Sequence, residues 1–333
     1  MSHHTFRAIL AKQGDPGLDV QLVELSTADL PAGDVLVRVT HSSLNYKDAL
    51  AVTGQGKIFR RLPMVPGVDL AGVVEESAVP EFEAGDLVVV TGTGIGEVQW
   101  GGFSQYARLD SGKLLKIPEG WGGFEAMSVG TAGITAMLCI MALEEHGILP
   151  GDGPVLVTGA GGGVGGMAVA LLHGLGFDVA AATGRESIHS YLETLGARTF
   201  VARSELQREC KPLEKEKWSG VVDAVGGHTL ATAIRQTRAY GTITACGLAG
   251  GGALPTSVYP FILRNVTLCG IDSVTCPRDR RVRAWMRVRE LLSRDVLADI
   301  AAQTISLADV VDTSEALLSG HVRGRIVVDL ARP

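Results

Sequence analysis

Residues 155–166, VLVTGAGGGVGG, restrict the fold more than any other stretch of this chain. A short apolar run leads straight into glycines and then into a small-residue segment that reads as a helix. A diphosphate can rest on a helix N-terminus only where no Cβ intrudes, so such a turn has to be rich in glycine. The GxGxxG spacing fits at Gly161, Gly163 and Gly166, and again at Ala160, Gly162 and Gly165 with Ala in the first place. That spacing alone is a weak signal. Here strand, turn, helix and a following strand occur in order, which reads as a dinucleotide-binding βαβ unit. The competing reading is a turn kept glycine-rich only for tight helix–sheet packing.

The end of the next strand bears on which dinucleotide. A site for an unphosphorylated ribose wants Asp or Glu about 20 residues on, to accept from the 2′-hydroxyl. This chain has Thr183, Gly184 and Arg185 there. A guanidinium offers forked, charge-assisted donors to a 2′-phosphate, which a carboxylate would repel. Arg203, closing TFVAR just past the next strand, can add a second cation. The expected cofactor is therefore NADPH, although Glu186 follows at once and Arg185 as an ordinary surface residue remains open.

Strand-like and helical stretches alternate from residue 127 to about 300, as parallel βαβ units of a doubly wound sheet require. Helices are expected over 127–143, 164–175, 187–195, 230–239 and 279–294, with apolar Val282, Trp285, Met286 and Leu292 packed inward on the last. Its many arginines read as a solvated face. Residues 1–126 instead carry close-set β-branched runs at 34–40, 67–75 and 86–92, with a last strand over 102–109. Gly and Pro punctuate them, which predicts a compact, mainly antiparallel β domain. The closing GRIVVDLA resembles that first part, so residues 301–333 are expected to complete it. The fold class is thus α/β: a Rossmann sheet at 127–300 beside a β domain at 1–126 and 301–333.

With 333 residues the chain suits two cores rather than one. A net charge of -6 provides no field for nucleic acid. Cys139, Cys210, Cys246, Cys269 and Cys276 stand singly, which suggests reduced thiols and a cytoplasmic protein. The start, MSHHTFRAILAKQG, has no apolar core of a signal peptide, and 137–143 is too short to cross a bilayer, so neither secretion nor a membrane is expected. The eight histidines form no HExxH or Cys/His cluster and no GxSxG elbow occurs, so no metal is expected. Chemistry then falls to the cofactor.

PMVPGVDLAGVV (63–74), FEAGDLVVVTG (82–92), WGGFSQYA (100–107), GTAGITA (130–136) and VTGAGGGVG (157–165) resemble the medium-chain dehydrogenase/reductase superfamily. Gly67-Val68-Asp69 stands where its zinc alcohol dehydrogenases carry Gly-His-Glu, and their structural-zinc cysteines have no counterpart. SSLNYKDALAVTGQGKI (42–58), TGRESIHSYLETLGA (183–197), PLEKEKW (212–218), CGLAGG (246–251) and PFILRNVTLCGIDSV (260–274) narrow the resemblance to the zinc-free acrylyl-CoA reductase group. It implies a GroES-like substrate domain, a homodimer, and NADPH-dependent reduction of a CoA thioester, acryloyl-CoA, to propanoyl-CoA. A quinone or general enone reductase, or a non-catalytic NADPH sensor using the Arg-rich helix, are the alternatives. The resemblance places Tyr46, Gly161, Gly162, Gly163, Val164, Thr183, Gly184, Arg185, Arg203, Leu248, Ile262, Ser273 and Gly320 around NADPH.

Tyr46 is the catalytic candidate, to contact the nicotinamide, orient substrate or donate a proton. A buried structural aromatic, or water as the acid, are the other readings. Asp48 can orient neighbours or cap the following helix. Arg60 and Arg61 can meet CoA phosphates or be a plain surface pair.

Overall fold

A computed structural model describes residues 4–15 and 17–332. Their contacts divide the chain into two units, Met1–Thr131 with Leu297–Pro333, and Ala132–Val296. In chain order the first unit holds β1 (Thr5–Gln13), β2 (Leu18–Ser26), β3 (Val35–Leu44), α1 (Tyr46–Val52), β4 (Asp69–Ser77), β5 (Leu87–Thr91), β6 (Tyr106–Leu109) and β7 (Leu115–Lys116). Helix α2 (Gly123–Glu145) leads into the second unit. There follow β8 (Val155–Val157), α3 (Gly163–Gly174), β9 (Val179–Thr183), α4 (His189–Thr194), β10 (Thr199–Ala202), α5 (Arg203–Leu206), β11 (Trp218–Asp223), α6 (Gly227–Gln236), β12 (Thr237–Ala245), α7 (Tyr259–Arg264), β13 (Thr267–Gly270) and α8 (Arg278–Leu291). The chain returns through α9 (Arg294–Ile300) to β14 (Gln303–Ile305), α10 (Val310–Leu318) and β15 (Ile326–Asp329).

The second unit is a six-stranded parallel sheet in the order β10-β9-β8-β11-β12-β13. Strand order reverses at β8, because β9 and β10 lie on one side of it and β11 to β13 on the other. Ligands of open α/β sheets bind outside the carboxyl ends of strands at such a switch point. All three residues of β8 are buried, as a central strand covered on both faces requires.

The first unit is a mainly antiparallel sheet in the order β14-β15-β3-β4-β5-β7, with β6 also on β3, beside the β1–β2 hairpin. Val35, Val37 and Val39 alternate into a core with Leu70, Val88, Val90, Phe103 and Val328. The last strand, β15, pairs antiparallel with β3, Ile326 opposite Leu44. The β1–β2 hairpin had no counterpart among the expected strands.

Several local readings need correction. The strand expected over 102–109 begins only at Tyr106, because Gly101 and Gly102 pack against the backbone of Pro66, Gly67 and Asp69 instead. The helix expected over 230–239 ends at Gln236, where β-branched Thr237 turns extended and opens β12. The helix expected over 127–143 runs from Gly123 to Glu145 and bends at Gly130, whose φ of 52° leaves the helical region. By length and composition it could cross a membrane, but its apolar window is buried within the protein. On α8 the inward stripe is Arg281, Ala284, Trp285, Val288 and then Leu292, which leaves Met286 exposed, one helical step off that line. Arg280 and Arg287 of α8 form two-pronged ion pairs with Glu145 and Glu144, so these arginines are committed within the unit.

Candidate functional site

In the second unit the glycine turn stands at the carboxyl end of β8, with Gly162 as the N-cap of α3. A Cβ at Gly165 would run into the carbonyl oxygen of Gly159, so the turn folds back closely on itself. A Cβ at Gly161 would meet Ile188 and come 3.1 Å from Arg185 Nη2. The Arg185 guanidinium therefore reaches over the turn that precedes α3. Thr158, the residue before the turn, donates from Oγ1 to Asp223 Oδ1 at 2.6 Å, and Asp223 Oδ2 accepts from Gly226 N at 2.8 Å. This buried bridge fixes the ends of β8 and β11 at the switch point. Burial raises the Asp223 carboxyl above its usual range.

Thr183 ends β9 and accepts from Arg185 N at 3.2 Å. Ala202 lies opposite Thr183 in the parallel register, which puts Arg203 beside Gly184. A Cβ at Gly184 would sit 3.0 Å from Arg203 Nε, so the guanidinium lies close over this glycine. Burial and then the charge of Arg203 lower the Arg185 pKa from its ordinary value. Two like charges held together beside a helix N-terminus form a site for an anion of more than one charge. The sequence-predicted residues 161–164, 183–185 and 203 are thus brought together.

Leu248 follows β12 and is 60% exposed. It lines a surface pocket with Ala245, Cys246, Gly247, Gly270, Ile271 and Asp272, all at or just past the ends of β12 and β13. Ser273 comes next after that lining, and its carbonyl accepts from Arg281 Nη2 at 2.8 Å. Ile262 stands exposed on α7. Gly320 belongs to the first unit, just past α10, with a φ of 77°.

In the first unit Tyr46 is the first residue of α1 and is 39% exposed, which removes its reading as a buried structural aromatic. A buried polar network sets the start of this helix. Asp48 Oδ2 accepts from Asn45 N at 2.9 Å, the helix-capping role, and from Asn45 Nδ2 at 3.0 Å, while Oδ1 accepts from Val68 N at 2.9 Å. Asn45 Nδ2 also donates to Asp69 Oδ2 at 2.9 Å. Asp69 takes further bonds from Ser43 Oγ at 2.6 Å and from Thr131 N and Oγ1 at 2.8 and 2.5 Å.

One guanidinium serves both carboxylates. Arg325 donates from Nη1 to Asn45 Oδ1 at 2.9 Å and from Nη2 to Ser43 Oγ at 2.7 Å, whereas its direct distance to Asp69 is 3.8 Å. Asn45 and Ser43 are therefore the links between the charges. Burial, then the charge of Asp69, pushes the Asp48 pKa up to about 7 against the hydrogen bonds from Asn45 and Val68. Burial lowers that of Arg325, opposed by Asp69 and Asp48. Sequence reasoning missed Arg325; its only signal is an arginine at the mouth of the apolar strand IVVD. It also missed the Thr158–Asp223 bridge. Among the described residues no group of three His, Cys, Asp or Glu is placed to hold a metal ion.

Residues 31–119 match the family described as alcohol dehydrogenase GroES-like domain, and residues 163–292 the one described as zinc-binding dehydrogenase. The acrylyl-CoA reductase AcuI of Ruegeria pomeroyi is 49% identical over 92% of this chain and 93% of its own. A Bacillus subtilis protein, YhfP, whose name assigns it provisionally to the quinone oxidoreductases, is 41% identical over 98% of this chain and 99% of its own. The YhfP structure with NAD bound superposes with a TM-score of 0.93 at 40% identity, covering 98% of this chain and all of that one. The yhdH oxidoreductase of Salmonella enterica in complex with NADP gives a TM-score of 0.94 at 50% identity, covering 97% and 99%.

Proposed function

The chain belongs to the medium-chain dehydrogenase/reductase superfamily, and on that premise we propose that it is an NADPH-dependent reductase of the C=C bond of acryloyl-CoA, yielding propanoyl-CoA. The observation that carries the cofactor reading is the pair Arg185 and Arg203 flanking Gly184, with no carboxylate at the end of β9. The turn fits a diphosphate because residues 161–163 bring a side-chain-free backbone to the N-terminus of α3, where Gly162 is the N-cap and the first amides are left for an anion. Residues 161–164 hold the diphosphate, Thr183, Gly184, Arg185 and Arg203 the phosphorylated ribose, and Tyr46, Leu248, Ile262, Ser273 and Gly320 the remainder. When bound, NADPH supplies hydride to the β-carbon of the enoyl thioester.

The protein's own residues have two tasks in that reaction. One is to stabilise the negative charge that grows on the thioester oxygen, and the other is to deliver a proton to the α-carbon. Tyr46 is our candidate for orienting the thioester and for the proton, since its exposed ring sits at the start of a helix pinned by Asp48 and Asn45. Water is the competing donor.

The reductase works in the cytoplasm, in keeping with its five free cysteines, and as a homodimer. The dimer reading is supported by β13 as the last strand of its sheet, next to Ile262 and Leu263 exposed on α7. Kinship with YhfP favours a second substrate reading, a quinone. NADPH oxidation with acryloyl-CoA, crotonoyl-CoA, free acrylate and a simple quinone separates the two. We expect the highest kcat/KM with acryloyl-CoA; a quinone well above it would replace this reading.

A further inference from the structure

We propose that Lys57, Arg60 and Arg61 form the site for the phosphorylated nucleotide of the CoA thioester, an inference that rests on the acyl-CoA reading above. Residues 49–68 carry these three cations and no Asp or Glu, within a protein of net charge -6. All three side chains are exposed. None makes an ion pair or side-chain hydrogen bond among the described residues, whereas Arg38, Lys47, Lys113 and Lys116 of the same unit are all paired with carboxylates. Cations left unpaired in a row are available to an anionic ligand.

The segment is also held in place. Gly56 N donates to Leu50 O at 3.1 Å, Ile58 N to Gly56 O at 2.9 Å, and Met64 N to Ala11 O at 2.9 Å. Arg60 N donates to Glu97 O at 3.0 Å, and Glu97 Oε1 accepts from Lys47 Nζ at 3.0 Å. A single residue, Glu97, thus ties the backbone of Arg60 to the side chain beside Tyr46. Glu97 also neutralises Lys47, which leaves the unpaired charge at 57–61.

The spacing suits the ligand. Lys47, next to Tyr46, and the backbone of Arg60 both bond Glu97, so this loop lies beside the start of α1. The pantetheine arm between thioester and pyrophosphate spans roughly 15 Å when extended, by the reach of a chain of similar bond count. An acyl group at Tyr46 can therefore reach its phosphates to this loop. Two guanidiniums offer forked donors to the 3′-phosphate and pyrophosphate, and Lys57 adds a point charge.

The test uses the full chain, its R60A/R61A and K57A/R60A/R61A variants, and three thioesters: acryloyl-CoA, its 3′-dephospho form and acryloyl-N-acetylcysteamine. We expect KM for acryloyl-CoA to rise roughly tenfold to hundredfold in the variants with kcat little changed, by the size of charge-assisted hydrogen bonds. KM for the N-acetylcysteamine thioester, which has no phosphate, should not move, nor should the NADPH Kd. An unchanged KM for acryloyl-CoA, or an equal loss with the truncated thioester, overturns the site. Calorimetry with free CoA reads it independently of turnover. CoA bound by the wild type and released in the variants upholds the site even if a quinone proves the better substrate. No binding of CoA to the wild type rejects it.

Discussion

Arg325 Nη1 donates to Asn45 Oδ1 at 2.9 Å, joining residues 280 positions apart in the chain. The bond exists because β15 pairs with β3 and delivers Arg325 to the residue that caps α1. Arg325 is buried and ion-paired with buried Asp69, so removing it leaves that carboxylate without a countercharge. Arg325→Met should cost about 3–5 kcal/mol in urea unfolding. Arg325→Lys, which keeps charge but loses the fork that spans Asn45 and Ser43, should fall between. A loss below 1 kcal/mol in Arg325→Met would show the network to be ornamental.

Asp48 makes stability depend on pH with a definite sign. Its carboxyl is raised from an ordinary 3.8 to about 7, so between those values the folded state holds a proton that the unfolded chain has released. Its contribution is fully present at low pH and is lost as pH rises through that window, at about 1.4 kcal/mol per unit at most. Asp48→Asn removes the titration. Stability measured from pH 4 to 7.5 should therefore decline less steeply in Asp48→Asn than in the wild type, and equal slopes would place the proton elsewhere.

Much of the second unit was legible because its signals are local. The strand, glycine turn and helix at 155–174 lie in one stretch, and the parallel register then brings Arg203 to Gly184. The Asn45–Asp69–Arg325 network was not legible, because its members come from three distant parts of the chain and no spacing joins them. Asp48 as a helix cap was within reach, since an acid three residues after Asn45 is a local pattern. The α2 bend at Gly130 was hidden for a similar reason: a Cβ there would collide with Arg325 and Asp69, which only the folded chain brings near.

Arg185 and Arg203 should decide between phosphorylated and unphosphorylated cofactor. Each repels the other across Gly184, and a 2′-phosphate relieves that repulsion. We expect Arg185→Ala/Arg203→Ala to weaken NADPH roughly hundredfold or more while NADH binding changes little, by fluorescence titration. An equal loss for both cofactors would point to a disturbed fold rather than a phosphate site.

Gly161→Val tests the cradle itself. Its side chain would displace Ile188 and the Arg185 guanidinium from above the turn. Both NADPH and NADH should then bind at least tenfold more weakly, because the turn at the N-terminus of α3 and the guanidinium over it are pushed out of place. A lowered melting temperature together with lost binding is the expected pairing, since Ile188 is buried, and intact binding would remove the glycine turn from the site.

Tyr46 separates proton donation from placement. Its ring starts α1, and its hydroxyl makes no hydrogen bond among the described residues, so Tyr46→Phe deletes only a free polar handle. If the hydroxyl gives the proton to the α-carbon, kcat with acryloyl-CoA should fall about a hundredfold or more with the NADPH Kd unchanged. If the ring only orients substrate, Tyr46→Phe keeps kcat and Tyr46→Ala raises KM. A kcat unaltered in Tyr46→Phe, with its solvent deuterium isotope effect also unaltered, assigns the proton to water.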